Sequence, residues 1–184
     1  MTDARWRTVK FEDLAVGTRN AIVGGPFGSN LVSSDYTLGQ VALVPDAPWD
    51  RYVVSQSQMK ATLNPDEADP LFVYYYFTST AEQQYIFANA IQTGVPHSNL
   101  GQLRAHPMRI PVVEDQRAIA GILGALDDKI EQNRRTARTL ERLARAIFRA
   151  WFVDFEPVKA KAEGATAFPS MPRPVFDALP TRFV

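Results

Sequence analysis

The sequence predicts an α+β chain: a small mixed α/β domain over residues 1–112, one long coiled-coil-forming helix over 113–156, and an irregular, proline-rich tail over 157–184. Three observations predict it. Short apolar runs broken by Gly and Pro clusters fill the first part. A stretch of 126–152 without glycine or proline follows. Five prolines then interrupt the remainder, where periodicity fades.

In the first part, VALV (41–44), RYVV (51–54) and MRIPVV (108–113) have the length and composition of strands. GGPFGSN (24–30), PDAP (45–48) and TGVP (93–96) punctuate them. Around residues 70–88 the pattern turns helical. Asp69 suits an N-cap and Pro70 the first helical position, where no amide donor is needed. Phe72, Val73, Tyr76 and Phe77 recur at helical steps, and the last two are expected to pack inward.

The long helix is expected to start near Glu114 or Asp115 and to end at Pro157. Its apolar register is Ile119, Leu123, Leu126, Ile130, Asn133, Ala137, Leu140, Ala144, Ile147 and Trp151, alternating steps of four and three. That is a heptad seam with Asn133 as its only polar member. Residues 115–151, at about 1.5 Å rise each, make a rod of roughly 55 Å. A domain of ~110 residues has a radius of gyration near 13 Å and cannot cover such a rod.

The formal net charge of zero conceals a pattern. Residues 1–112 carry eight Lys/Arg against ten Asp/Glu. Residues 114–131 carry two bases against five acids, and residues 134–149 carry six arginines against Glu141 alone. Parallel pairing of two such helices would set like halves side by side. Antiparallel pairing sets each basic half against an acidic one and brings Asn133 near its counterpart. The expectation is half of an antiparallel two-helix spacer, filled by a second copy or by a similar helix. The arginine run has three open roles: facing acids, DNA phosphates, or the acidic surface of a partner protein.

No apolar run approaches the ~18 residues of a membrane span, and MTDARWRTVKFEDL lacks the core of a signal peptide. The absence of cysteine excludes disulfides and thiolate metal sites. A cytoplasmic protein is the simplest expectation. His97 and His106 lie at no metal-ligand spacing from acids. Neither a phosphate-binding loop nor a nucleophile with an adjacent base is visible, so no catalytic residue and no metal are expected.

The phrase IPVVEDQRAIAGILGALDDKIEQNRRTARTLERLARAIFRAWFVDFEPV (110–158) closely resembles the helical spacer of the specificity subunits of type I restriction-modification systems. WRTVKFEDL (6–14), GGPFGSNLVSSDYTLGQVALV (24–44), VVSQSQMKATLNPDEADPLFVYYYFTS (53–79) and TGVPHSNLGQLRAHPMRIPVV (93–113) resemble pieces of that family's target recognition domain. The resemblance covers nearly the whole chain. Family members usually carry two recognition domains and two spacer helices; this sequence has one of each, and its segment between Val44 and Arg51 is short. A half-subunit working as a homodimer, a truncation and a decayed copy all fit.

The resemblance implies a non-catalytic subunit that reads a bipartite site on double-stranded DNA. It would dock methyltransferase subunits, which use S-adenosylmethionine to methylate adenine, and recruit a restriction subunit. No cofactor is expected in this chain. DNA-facing candidates are Ser29 and Asn30 in the glycine-rich loop, Gln58 for an adenine edge, Lys60 for a phosphate, and His97, Ser98 and Asn99 in the next loop. Each has a plain alternative as a tight turn, a solvated edge strand or a polar turn. From another class, the chain can be read as a coiled-coil interaction adaptor whose domain no longer reads DNA.

Overall fold

A computed structural model describes residues 5–18, 21–24, 38–44, 58–91 and 98–181. Two compact units divide the chain, Met1–Leu126 and Asp127–Val184. The α+β class holds, with one long helix accompanied by two small antiparallel ribbons.

In the first unit, β1 (Trp6–Lys10) pairs antiparallel with β4 (Pro107–Pro111), Trp6 opposite Pro111 and Thr8 opposite Arg109. Met108 and Ile110 point to the core, while Pro107 and Arg109 are exposed. This is the period of two that any half-buried strand shows. β2 (Ile22–Gly24) pairs with β3 (Met59–Ala61). A 3₁₀ turn, Phe11–Leu14, drops Phe11 and Leu14 into the core. There the Phe11 ring meets Phe77 edge-on at 5.3 Å.

α1 (Pro70–Thr78) begins as expected: the Asp69 carboxylate accepts from the Phe72 amide at 2.9 Å, and Pro70 occupies the first turn. The helical stretch is then divided. Ser79 adopts an extended conformation, caps α2 (Thr80–Ala88) and ends α1. Phe72, Val73 and Phe77 join Phe11, Leu14, Ile22, Met108, Ile110 and Ala120 in one core. Tyr76 packs against it, as expected. α3 (Leu100–Arg104) leads into β4.

The expected strand at 41–44 is not formed. Val41 packs on the core, but Leu43 and Val44 are exposed and no ladder partner lies beside them among the described residues. A short apolar run becomes a strand only where a neighbour takes its hydrogen bonds. The run at 51–54 lies outside the described residues.

α4 spans Val113–Phe148, 36 residues or roughly 54 Å. Beyond it, Arg149–Val153 form one π turn, closed by the Asp154 amide on the Arg149 carbonyl at 2.8 Å. Pro157 does not stop this helix. The break comes at Phe155, which is left-handed (φ 52°), and Pro157 sits in the first turn of α5 (Glu156–Ala162). Proline is welcome there because a first-turn amide has no helical acceptor.

The tail adds α6 (Arg173–Ala178), and Phe176 is buried. The Lys161 ammonium donates to the carbonyls of Phe176, Asp177 and Leu179 at 3.1, 2.7 and 2.6 Å, capping α6 with positive charge. No helix among the described residues is long and apolar enough to cross a membrane.

One buried side chain seats the beginning of α4. The Gln116 carboxamide accepts from the Asp69 amide at 3.0 Å and donates to the carbonyls of Pro111 (2.9 Å) and Glu67 (3.2 Å). Replacing it by leucine (Gln116→Leu) removes the partner of one amide and two carbonyls, the Pro111 carbonyl among them in a buried bond. The expected loss is about 3 kcal/mol, read as a lower urea midpoint at unchanged slope.

Candidate functional site

Two surfaces carry the residues singled out by sequence. The first is the face of α4. Its opening turns are committed to the first unit: Gln116 and Ala120 are buried and Ile119 packs on the core. Gly124 allows close approach of Leu71, whose Cδ2 would stand 3.3 Å from an added Cβ. Leu123 is half-buried.

Farther along, the seam opens to solvent. Leu126 is 57% and Leu140 59% exposed. Ile130, Asn133, Ala137 and Ala144 are likewise exposed, and Ile147 and Trp151 are half-buried. Sequence reasoning missed Ile122, Leu143 and Phe148, which are also exposed and widen the stripe. They lie three or four residues from seam members, so a test for a broad apolar face rather than a strict heptad finds them.

The charged flank of α4 is partly self-neutralised. Glu131 accepts from both Arg135 and Arg138 at 3.0 Å, and Glu141 accepts from Arg145 at 2.6 Å. Arg149 pairs with Asp154 at 3.1 Å. Among the described residues Arg134 and Arg142 have no acidic partner. Arg135, Arg138, Arg142 and Arg145 line one open groove with Thr139 and Glu141. The hydrogen bonds from Arg135 and Arg138 hold the Glu131 carboxyl below its ordinary 4.5.

The second surface belongs to the first unit. Lys60 is exposed on β3 opposite Val23, and Gln58 is exposed just before it. Ser98 is half-buried. Asn99 caps α3: its side-chain oxygen accepts from the Gln102 amide at 2.8 Å, while Gln102 Oε1 accepts from the Asn99 amide at 2.9 Å. The Gln102 amide group also donates to the Asn89 carbonyl at 2.8 Å, tying α3 to the end of α2. Arg104 donates to the Ile22 carbonyl at 2.9 Å, which fastens α3 to the β2–β3 ribbon. The elements bearing Lys60 and Asn99 are thereby stitched together. Ser29, Asn30 and His97 lie outside the described residues.

His106 is buried, with Nε2 2.7 Å from Glu82 Oε2 and the rings of Phe77 and Tyr85 about it at 5.1 and 5.0 Å. It is a packed core histidine. Burial pushes the Tyr76 phenol up; the amide of Arg109, which donates to the Tyr76 oxygen at 3.2 Å, acts the other way, and Glu82 adds to the rise. No group of three or more His, Cys, Asp or Glu among the described residues can hold a metal ion.

The chain thus combines a small α+β domain with a long helix whose apolar seam is exposed over much of its length. The chain belongs to the type I restriction modification DNA specificity domain family, which matches residues 26–142, more than half of its length. It is similar to the type I restriction enzyme HindI specificity subunit of Haemophilus influenzae, with 36% identity over 123 residues, 66% of this chain and 27% of that protein. It is also similar to the MjaIX specificity subunit of Methanocaldococcus jannaschii, with 26% identity over 134 residues, 73% of this chain and 30% of that one. The chain therefore spans less than a third of the length of these relatives. No solved structure matches it.

The depressed Glu131 acidity gives a signed pH dependence. A carboxyl acidified by folding contributes stability above its unfolded value of 4.5, and that contribution is lost as pH falls through the lower folded value. In far-UV circular dichroism melts, the wild type should exceed Glu131→Gln by a constant margin from about pH 7 to about pH 5.5. The margin should close as the pH is taken toward about 3.

Proposed function

We propose that this chain is the DNA-recognition half of a type I restriction-modification assembly. The first unit reads one part of a bipartite site on double-stranded DNA, and α4 pairs antiparallel with a second α4. The observation that carries the reading is the family match running from residue 26 to 142, through the domain and into the exposed seam of α4. The chain does no chemistry itself. Methyltransferase subunits carrying S-adenosylmethionine dock on the spacer, a restriction subunit joins them, and the assembly works in the cytoplasm.

The physics of α4 suits the spacer role. Ile119, Leu123, Leu126, Ile130, Leu140, Ile147 and Trp151 supply the apolar contact. Asn133 lies near the two-fold axis, where its amide bonds across the pair at some cost in stability and fixes register. Each basic half faces an acidic half. A rod of roughly 54 Å corresponds to about 16 base pairs at ~3.4 Å each, so two readers at its ends address separated half-sites. Two-fold symmetry makes a homodimer's preferred site a bipartite palindrome.

For base and phosphate contact the candidates are Gln58, Lys60, Ser98 and Asn99, with Ser29, Asn30 and His97. Lys60 is exposed on a two-stranded ribbon, free of the core, and so placed to meet phosphate. Asn99 already spends its oxygen on the α3 cap, which leaves its amide hydrogens as the groups to offer a base.

Titration of the purified chain, alone and with methyltransferase, against site-containing and random duplexes tests the proposal. The site should be bound at least about 10³-fold more tightly than random sequence. Lys60→Gln should weaken both and reduce the dependence of log K on log salt by about one. Equal affinity for the two duplexes contradicts sequence reading.

A further inference from the structure

Arg104 is a cation without a counter-charge. It ends α3, is half-buried, and has no acidic partner among the described residues. Other cations of the first unit are matched: Arg5, Arg7 and Lys10 pair with Asp115, Glu67 and Glu12. The one hydrogen bond of the Arg104 guanidinium among the described residues runs to the Ile22 carbonyl, at 2.9 Å. A guanidinium carries its N–H donors in a planar fork, so most of them remain for another acceptor. A charge drawn partly out of water is destabilising until an opposite charge meets it. Arginine's rigid fork matches phosphate oxygens two at a time.

The bond to Ile22 fixes where the fork stands. In the β2–β3 ribbon Ile22 lies opposite Ala61, and Val23 opposite Lys60. The Ala21 carbonyl accepts from the Thr62 amide at 2.7 Å, so the ladder bonds fall to Ala21 and, by alternation, to Val23. The Ile22 carbonyl therefore points out from the edge of β2, and Arg104 covers it. Lys60 stands on the other side of β2, exposed and with no ion pair among the described residues. At ~4.8 Å per strand, the fork and the Lys60 backbone are roughly 10 Å apart across the ribbon. An acidic side chain of a partner protein could answer one such cation. A nucleic-acid backbone answers both, because its phosphates repeat every ~3.4 Å of duplex axis along each strand.

We propose that Arg104 holds a phosphate of the DNA backbone, its fork oriented by the Ile22 carbonyl, while Lys60 meets a nearby phosphate of the same strand. The proposal rests on the DNA-recognition reading above and adds to it a contact made from a helix end. A phosphate contact carries no sequence information of its own; it sets register and orientation. Because Asn99 caps the helix that Arg104 ends, a phosphate held at Arg104 fixes how Asn99 approaches a base edge.

Fluorescence anisotropy of the full chain with a random-sequence duplex over a salt series tests the contact. Arg104→Gln should bind about eight-fold more weakly at ~0.1 M salt and lower the slope of log K against log salt by about one per chain bound. Arg104→Lys, which keeps the charge, should restore most of that slope. A purely structural arginine would lower the urea midpoint and leave the slope as it was. In wild type, the duplex should also slow phenylglyoxal modification of Arg104, read by mass spectrometry, and spare the exposed Arg173. If Arg104→Gln unfolds, this measurement decides. A wild type that binds no duplex overturns the contact together with the DNA reading. A wild type that binds, with a slope untouched by Arg104→Gln or with Arg104 modified as fast as in the free chain, overturns the contact alone.

Discussion

The first unit depends on the carboxamide of Gln116. Three backbone groups from two separate stretches, 67–69 and 111, end on this one side chain. The bond to the Pro111 carbonyl is buried and the other two are half-buried. The first turn of α4, the end of β4 and the cap of α1 are thus held by a single planar group whose donors and acceptor are all used. Around it the apolar contacts of Ala120 and Ile119 do the bulk of the burial, but they are non-directional. The amide fixes the first turn of α4 to the end of β4 and the cap of α1.

What remains outside is an apolar stripe flanked by charge. A helix that is apolar on one face and solvated along much of it is incomplete in isolation, since exposing Leu126, Ile130, Leu140 and Leu143 forfeits the burial they could provide. Its charges follow the same logic. Intrahelical pairs such as Glu131 with Arg135 and Arg138 neutralise part of the basic half, yet six arginines face one glutamate between 134 and 149. In the proposed pair, the surplus meets the acidic first half of the second helix.

The parts of the fold legible in sequence were those written in local, periodic signals. The Asp69–Pro70 start of α1, the alternation of Met108 and Ile110, and the heptad of α4 all follow from short-range geometry. Gln116 and His106 were not legible as core members, because a polar residue is buried only when partners distant in the chain come to meet it. The strand expected at 41–44 failed for the same reason in reverse: the residues were apolar but no ladder partner lies beside them among the described residues. Pro157 misled because proline both ends helices and begins them, and the left-handed Phe155 decided which. At the candidate site, Lys60 and Asn99 were legible as polar loop and strand residues. Their joining through Arg104 and Ile22 was not, since that bond spans 82 positions.

The central claim is that α4 pairs antiparallel about Asn133. Pulsed electron–electron resonance with one spin label per chain tests it directly, comparing a label at Gln132 with one at Glu114, both exposed. Antiparallel pairing predicts a short distance between the two Gln132 labels. It predicts about 57 Å between the two Glu114 labels, which lie on opposite ends at ~1.5 Å rise per residue. Short distances at both positions would show a parallel pair, and no dipolar signal at either would show no pair at all; each result contradicts the account.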